Sequence, residues 1–195
     1  MTAAARDEAA AAPRPRRPQP VLWVDPQVHA EEIARFRRKV VVPPPNEDGS
    51  PSPMCSLWSR AVGNDGYGRF SITRGGQEIT VKPHRYAVAL RLGITVAYGQ
   101  VIEHVVCDNP LCCLADPDLT VGHIWPSTQA ENLRRMAAKG RGGGRWWHRK
   151  WSGLNRTERA ERSRQLRDVV AEHGWDEERI RAVLLRIDPA QTVLF

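Results

Sequence analysis

The chain has 195 residues, 41% of them hydrophobic, and a net charge of +7 from 29 Lys and Arg against 22 Asp and Glu. This suffices for one ordinary domain with flanks, and an isoelectric point near 9.7 favours an anionic partner, nucleic acid being the commonest. No apolar run approaches the roughly 18 residues that cross a bilayer, and the N-terminus lacks the apolar stretch of a secretory signal, so a cytoplasmic protein without membrane contact is expected.

Residues 1–20 are Ala, Pro and Arg without periodicity, which predicts a disordered basic N-terminus. From Val28 to Val41, Ile33, Phe36 and Val40 recur at intervals of three and four, as in a short helix. The Pro-rich run from Val42 to Pro51 then reads as a linker. That makes 21–53 a helix and linker ahead of a core domain at 54–145. Within the core, Leu57-Trp58, the glycine turn Gly63 to Gly68 and Phe70-Ser71-Ile72 read as strand, turn, strand. Gly75-Gly76 turns the chain before Ile79-Thr80-Val81. His84 to Leu92 reads as a helix ending at Gly93. Val101 to Val106 is the next strand, Asp108-Asn109-Pro110 a turn, and a partner strand is expected near Leu119-Thr120-Val121.

Thr128 and Glu131 form a capping box, each side chain satisfying a backbone donor of a helix's first turn. Leu133, Met136 and Ala137 give that helix an apolar face, and Gly140 ends it. Residues 146–190 form a basic linker and helical accessory region, with helices at about Thr157 to Glu172 and at Glu177 to Arg186 behind an Asp176 cap. Trp146, Trp147 and Trp151 lie among Arg and Lys. They suit either stacking on bases or docking of the segment on the core.

All four cysteines, Cys55, Cys107, Cys112 and Cys113, lie in the central region, and two are adjacent, which suits a disulfide framework poorly. Two readings stay open. The thiols pack as small apolar residues, or Cys107 with Cys112 or Cys113, and Cys55 brought close by folding, hold a structural zinc with a fourth Cys or His.

Cys55-Ser-Leu-Trp58, Asp65-Gly-Tyr-Gly-Arg69-Phe70, His84-Arg85, His104, Cys107-Asp108-Asn109-Pro110-Leu111-Cys112, Glu131-Asn132 and Lys139-Gly140-Arg141 follow one another across residues 55–145. In this order the chain resembles the HNH endonucleases of phage and actinobacterial type. The resemblance implies an α+β fold: a ββα-metal (His-Me finger) core with a preceding β-hairpin and helix, followed by C-terminal helices. It implies a metal-dependent nuclease acting on DNA with Mg2+ or a similar ion. His104 would be the general base, and Glu103, His104 and Asn132 would stand at the metal. His84 and Arg85 would support the site or contact backbone phosphate, with Arg134, Lys139, Arg141 and Arg145 as further DNA contacts.

The family commonly has Asn-Pro-Asp-His-Leu after the second cysteine. Here Ala115-Asp116-Pro117-Asp118-Leu119 follows, with Asp118 where the histidine is usual, and His123 to Ser127 reads as an insertion. The brace that orients the base is therefore open, with Asn109 or Asp118 as substitutes. A non-catalytic DNA-binding protein on the same scaffold is the rival expectation. Separately, Gln191-Thr192-Val193-Leu194-Phe195 is similar to the peptide by which bacterial proteins dock on the replication sliding clamp.

Overall fold

A computed structural model describes residues 21–97, 99–118, 120–138 and 154–185 of the chain. The expectations for residues 1–20, for Lys139, Arg141 and Arg145, for the tryptophans at 146, 147 and 151, and for the peptide Gln191 to Phe195 lie outside them. No helix among the described residues is long and apolar enough to cross a membrane.

The described fold is mixed α and β, with three two-stranded antiparallel sheets. Helix α1 (Ala30–Arg37) presents Ile33 and Phe36 to the interior, as their spacing predicts. It leads into strand β1 (Val40–Val41), which pairs with β2 (Leu57–Trp58). The hairpin β3 (Phe70–Arg74) and β4 (Gln77–Val81) turns at Gly75-Gly76. Helix α2 (Pro83–Leu92) begins with a proline, whose missing N–H costs nothing there, and ends at Gly93 with φ 62°.

Phe36, Trp58, Phe70 and Tyr86 meet at the centre, with ring centroids 4.6 Å apart for Phe36 and Tyr86 and 5.0 Å for Phe70 and Tyr86. The indole N–H of Trp58, fully buried, donates to the Ala61 carbonyl at 3.1 Å, so its burial leaves no polar group unsatisfied. Because Leu22, Val24, Ile33 and Phe36 belong to this core, it does not begin near residue 54. The segment expected to be a helix and linker contributes one side of it, and the Pro-rich stretch is a connection between paired strands. Asn46 closes that connection, its N–H donating to the Ser50 carbonyl at 2.9 Å.

Strand β5 (Val101–His104) pairs with β6 (Ile124–Ser127), and helix α3 (Gln129–Ala138) follows. The partner strand is thus five residues later than expected. The run His123 to Ser127 that looked inserted carries the pairing, and the extra residues lie before it. This excursion is pinched at its base, where the Leu114 carbonyl accepts from His123 N at 2.8 Å and from Ile124 N at 3.2 Å. At Gly122 a Cβ would stand 2.8 Å from the Asp116 carbonyl oxygen, so the pinch admits only glycine.

The capping box of α3 forms as read: Thr128 Oγ1 accepts from Glu131 N at 3.2 Å, and Glu131 accepts from Thr128 N at 2.8 Å. Helix α4 (Arg156–His173) opens on a second capping box, Asn155 with Glu158, and α5 (Glu177–Leu185) begins behind Asp176. Leu166, Val170 and Ile180 join the main core. Arg164 donates to the Asn64 side chain at 3.1 Å. The C-terminal helices therefore pack on the domain.

Candidate metal centre

The segment Leu111 to Cys113 lies antiparallel against Ser56 to Trp58. Trp58 N donates to the Leu111 carbonyl at 2.9 Å, and Cys113 N donates to the Ser56 carbonyl at 2.7 Å. Alternation along such a pairing sends neighbouring side chains to opposite sides. Cys112 accordingly turns towards Cys55, whereas Cys113 turns into the hydrophobic core, its thiol 3.6 Å from the Leu111 carbonyl. Cys113 is thus corrected out of the candidate zinc set.

His123, at the foot of β6, takes its place. Cys55, Cys107, Cys112 and His123 bring their ligand atoms within 4.8 Å of one another. The His123 Nδ1 lies 3.3 Å from the Cys55 sulfur and 3.7 Å from that of Cys112. A tetrahedral zinc, with bonds of about 2.3 Å to sulfur and about 2.0 Å to nitrogen, puts its ligand atoms roughly 3.5–3.8 Å apart. The side chains present therefore fit zinc in number, type and spacing.

The protonation pattern agrees. Hydrogen bonds from Cys112, then from Cys55, hold the Cys107 thiol well below the ordinary range. Its hydrogen bond to Cys107 pushes Cys55 up, and burial pushes Cys112 up. Three sulfurs and an imidazole make a soft, electron-rich pocket of the kind that takes zinc when the thiol protons leave.

Sequence reasoning missed His123 because it aligned Asp118 with the expected histidine. The distance to the helix cap is the better guide: His123 stands five residues before Thr128, with no room for an insertion once β6 is counted. Asp118 itself is exposed, and its carboxylate accepts from Thr120 N at 2.8 Å and Thr120 Oγ1 at 2.7 Å. It braces its own turn. Asn109 is buried and also serves its loop, accepting from Leu111 N at 3.0 Å.

His104, buried at the end of β5, has its Nδ1 3.8 Å from the Cys107 sulfur. Its ring lies 5.3 Å from that of His84 and 6.1 Å from that of Tyr67. Glu103, one residue earlier, faces the other side of the strand, where Arg135 of α3 forms an ion pair with it. Asn132 is half-buried and stands three residues before Arg135, so the two share a helix face and Asn132 lies on the side of α3 that turns to β5. The structure thus groups Glu103 with α3, and His104 with the cysteine loop and α2.

His84 is buried beneath Tyr67, 5.1 Å between rings, and its Nδ1 has no hydrogen-bond partner. Burial, then His104 and the cations Lys82, Arg85 and Arg69, hold its pKa well below the ordinary 6.5. Arg85 donates to the carbonyls of Gln100 at 2.6 Å and Ala97 at 2.5 Å, which fixes the approach to β5. His84 thus lies beside His104, and Arg85 is engaged by backbone carbonyls. Arg134 is exposed on α3.

Beside this group a cleft of about 530 Å³ is lined by Tyr67, Arg69, Lys82, Arg85 and Gln100 among others. Lys82 lies 4.1 Å from the Tyr67 ring centre and 3.4 Å from Asp65, which also pairs with Arg69 at 2.8 Å. With one carboxylate against three cations, the cleft keeps positive charge.

No protein-family model, no curated protein and no solved structure matches the chain.

Proposed function

We propose that the chain is a metal-dependent endonuclease of HNH type that hydrolyses DNA phosphodiester bonds. The observation that carries this reading is the succession of β5 ending at His104, a loop gathered by the Cys3His cluster, β6, and α3 with Asn132 in its first turns. A histidine at the start of such a loop would take a proton from water once solvent reaches its buried ring. The capped N-terminus of α3, which follows Ser127 at the Val101 end of β5, favours phosphate, and the cleft with Arg69 and Lys82 offers charge for a neighbouring backbone phosphate.

Two different ions belong to the reading. Zinc at Cys55, Cys107, Cys112 and His123 would be structural, since four protein ligands leave no open position. A hard divalent ion such as Mg2+, which stabilises the charge developing on the leaving oxygen, would be held by Glu103 and Asn132. Their carboxylate and amide oxygens are the donors such an ion prefers. In the structure Arg135 pairs with one oxygen of the Glu103 carboxylate, so an ion there would share the carboxylate with the arginine or displace it.

That ion pair also favours a second reading, a DNA-binding protein on the same scaffold with its catalytic metal position closed. Plasmid nicking with Mg2+ or Mn2+ separates the two. Under the nuclease reading His104→Ala and Asn132→Ala each lose roughly 100-fold or more of the rate, while zinc content stays at the wild-type level. Equal rates in all three proteins overturn the assignment, and metal-independent DNA binding without nicking establishes the rival.

A further inference from the structure

We infer that the cleft between β4 and β5 holds one unpaired nucleotide of a DNA strand, its base against an aliphatic wall and its phosphate towards Arg69, Lys82 and Arg85. What such binding means for cutting rests on the nuclease reading; the binding itself does not. The cleft measures about 530 Å³, within the range of small-molecule sites, with room for one nucleotide and not for a stack of base pairs. Leu22, Ile79, Val81, Val96 and Ile102 supply the aliphatic wall. Leu22 and Val96 are fixed there by mutual backbone hydrogen bonds of 3.0 and 2.8 Å. Arg69 and Lys82 are held by Asp65, and Arg85 by the carbonyls of Ala97 and Gln100. The charges are thus in place before a ligand arrives, which lowers the ordering cost of binding. An apolar wall beside fixed positive charge suits a molecule with a flat, weakly polar body and an anionic group, and a nucleotide has both.

The same wall sets the pairing state. Inside a duplex both faces of a base are covered by its neighbours, so it meets an aliphatic wall only after leaving the stack. A bulged or single-stranded nucleotide has already left it. The cleft also lies beside His104. Ile102 lines it and stands two residues before His104, so alternation puts the two on one face of β5. His84 and Tyr67 line it as well, with rings 5.3 and 6.1 Å from that of His104. A nucleotide held in the cleft therefore brings the adjoining phosphate of its strand towards His104, and the substrate class becomes DNA with an unpaired nucleotide next to the cut.

The test measures binding of the full chain, without added Mg2+, to three labelled DNA hairpins of one sequence: fully paired, with a single bulged thymidine, and with a bulged abasic residue. The two bulged hairpins carry the same charge and differ only in the base. The thymidine bulge is expected to bind about tenfold tighter than either of the others. Thr80→Glu, at an exposed position lining the cleft, should abolish that preference. Gln77→Glu, exposed on β4 outside the lining, makes the same change of charge and should keep it. Lys82→Gln should lower the salt dependence of binding by about one ion.

An abasic bulge bound as tightly as the thymidine bulge overturns the inference, as does a preference that survives in Thr80→Glu. Thymidine monophosphate that binds where the bulged hairpin does not overturns it too, since the cleft would then serve a free nucleotide. Should Thr80→Glu not fold, the three hairpins and Lys82→Gln decide. Mg2+ is then added to the same complexes. A preference for the thymidine bulge without cutting leaves the cleft assigned and removes the nuclease; cutting without the preference does the reverse.

Discussion

The two ends of this domain are held by different physics. Around Phe36, Trp58, Phe70 and Tyr86 the fold is secured by buried aromatic area. Around Cys107 to His123, Leu111, Cys113 and Ala115 reach the same core, but beside them three thiols and an imidazole converge. The first end needs nothing but its sequence. The second would be completed by an ion joining its sulfur and imidazole groups, which would make the region that carries His104 depend on metal where the rest does not.

The sharpest way to break this comparison is to remove the metal. With free zinc at about a thousand times its Kd, the bound ion is worth about 4 kcal/mol. Chelation is therefore expected to raise hydrogen exchange across residues 101–127 by a factor of roughly a thousand, while α1 and α2 keep their protection. Uniform loss of protection would mean that the two ends are one cooperative unit.

Phe36→Ala addresses the other end. It is expected to lower global stability by about 3 kcal/mol in denaturant titration, with zinc stoichiometry unchanged; loss of zinc would show the ends to be coupled. Acid probes the seam between them, where His84 is buried. Its pKa is depressed in the folded state, so the unfolded chain takes up the proton more readily. Stability from this group is complete above about pH 6.5 and falls below it by about 1.4 kcal/mol per pH unit until His84 is protonated. His84→Gln should flatten that slope by one proton, measured by urea titration across pH. The smallest effect expected is that of Thr128→Ala, which removes one cap of α3 at about 1 kcal/mol and speeds exchange near Asn132 without disturbing zinc.

The same contrast explains what could be read from the sequence. Helix α3 was legible because its capping box is a local arrangement within four residues, and the β3–β4 turn because two glycines announce it. The zinc candidates were legible as residue types. The set itself was not, because Cys113 is excluded by the alternation of a pairing with Ser56 to Trp58 that no local signal marks. Strand β6 was hidden for a further reason: with Pro126 in a four-residue run it violates the usual strand pattern, and is tolerated because it pairs on one side only within a two-stranded sheet. Once β6 was misplaced, His123 looked like part of an insertion. The membership of α1 in the core could not be read either, since a proline-rich stretch resembles a domain boundary whether or not strands pair across it.

The pinched excursion from 115 to 122 has one more consequence. Its two ends are joined at a single carbonyl, that of Leu114, so anything spliced between them leaves the hairpin's geometry as it was. Loop-closure entropy grows slowly, by about 0.6 kcal/mol per doubling of length. Sequences carrying this hairpin can therefore differ greatly in length there and keep the same four ligands. A fluorophore or affinity tag inserted within the excursion would report on the cysteine–histidine cluster from a few residues away without standing in it.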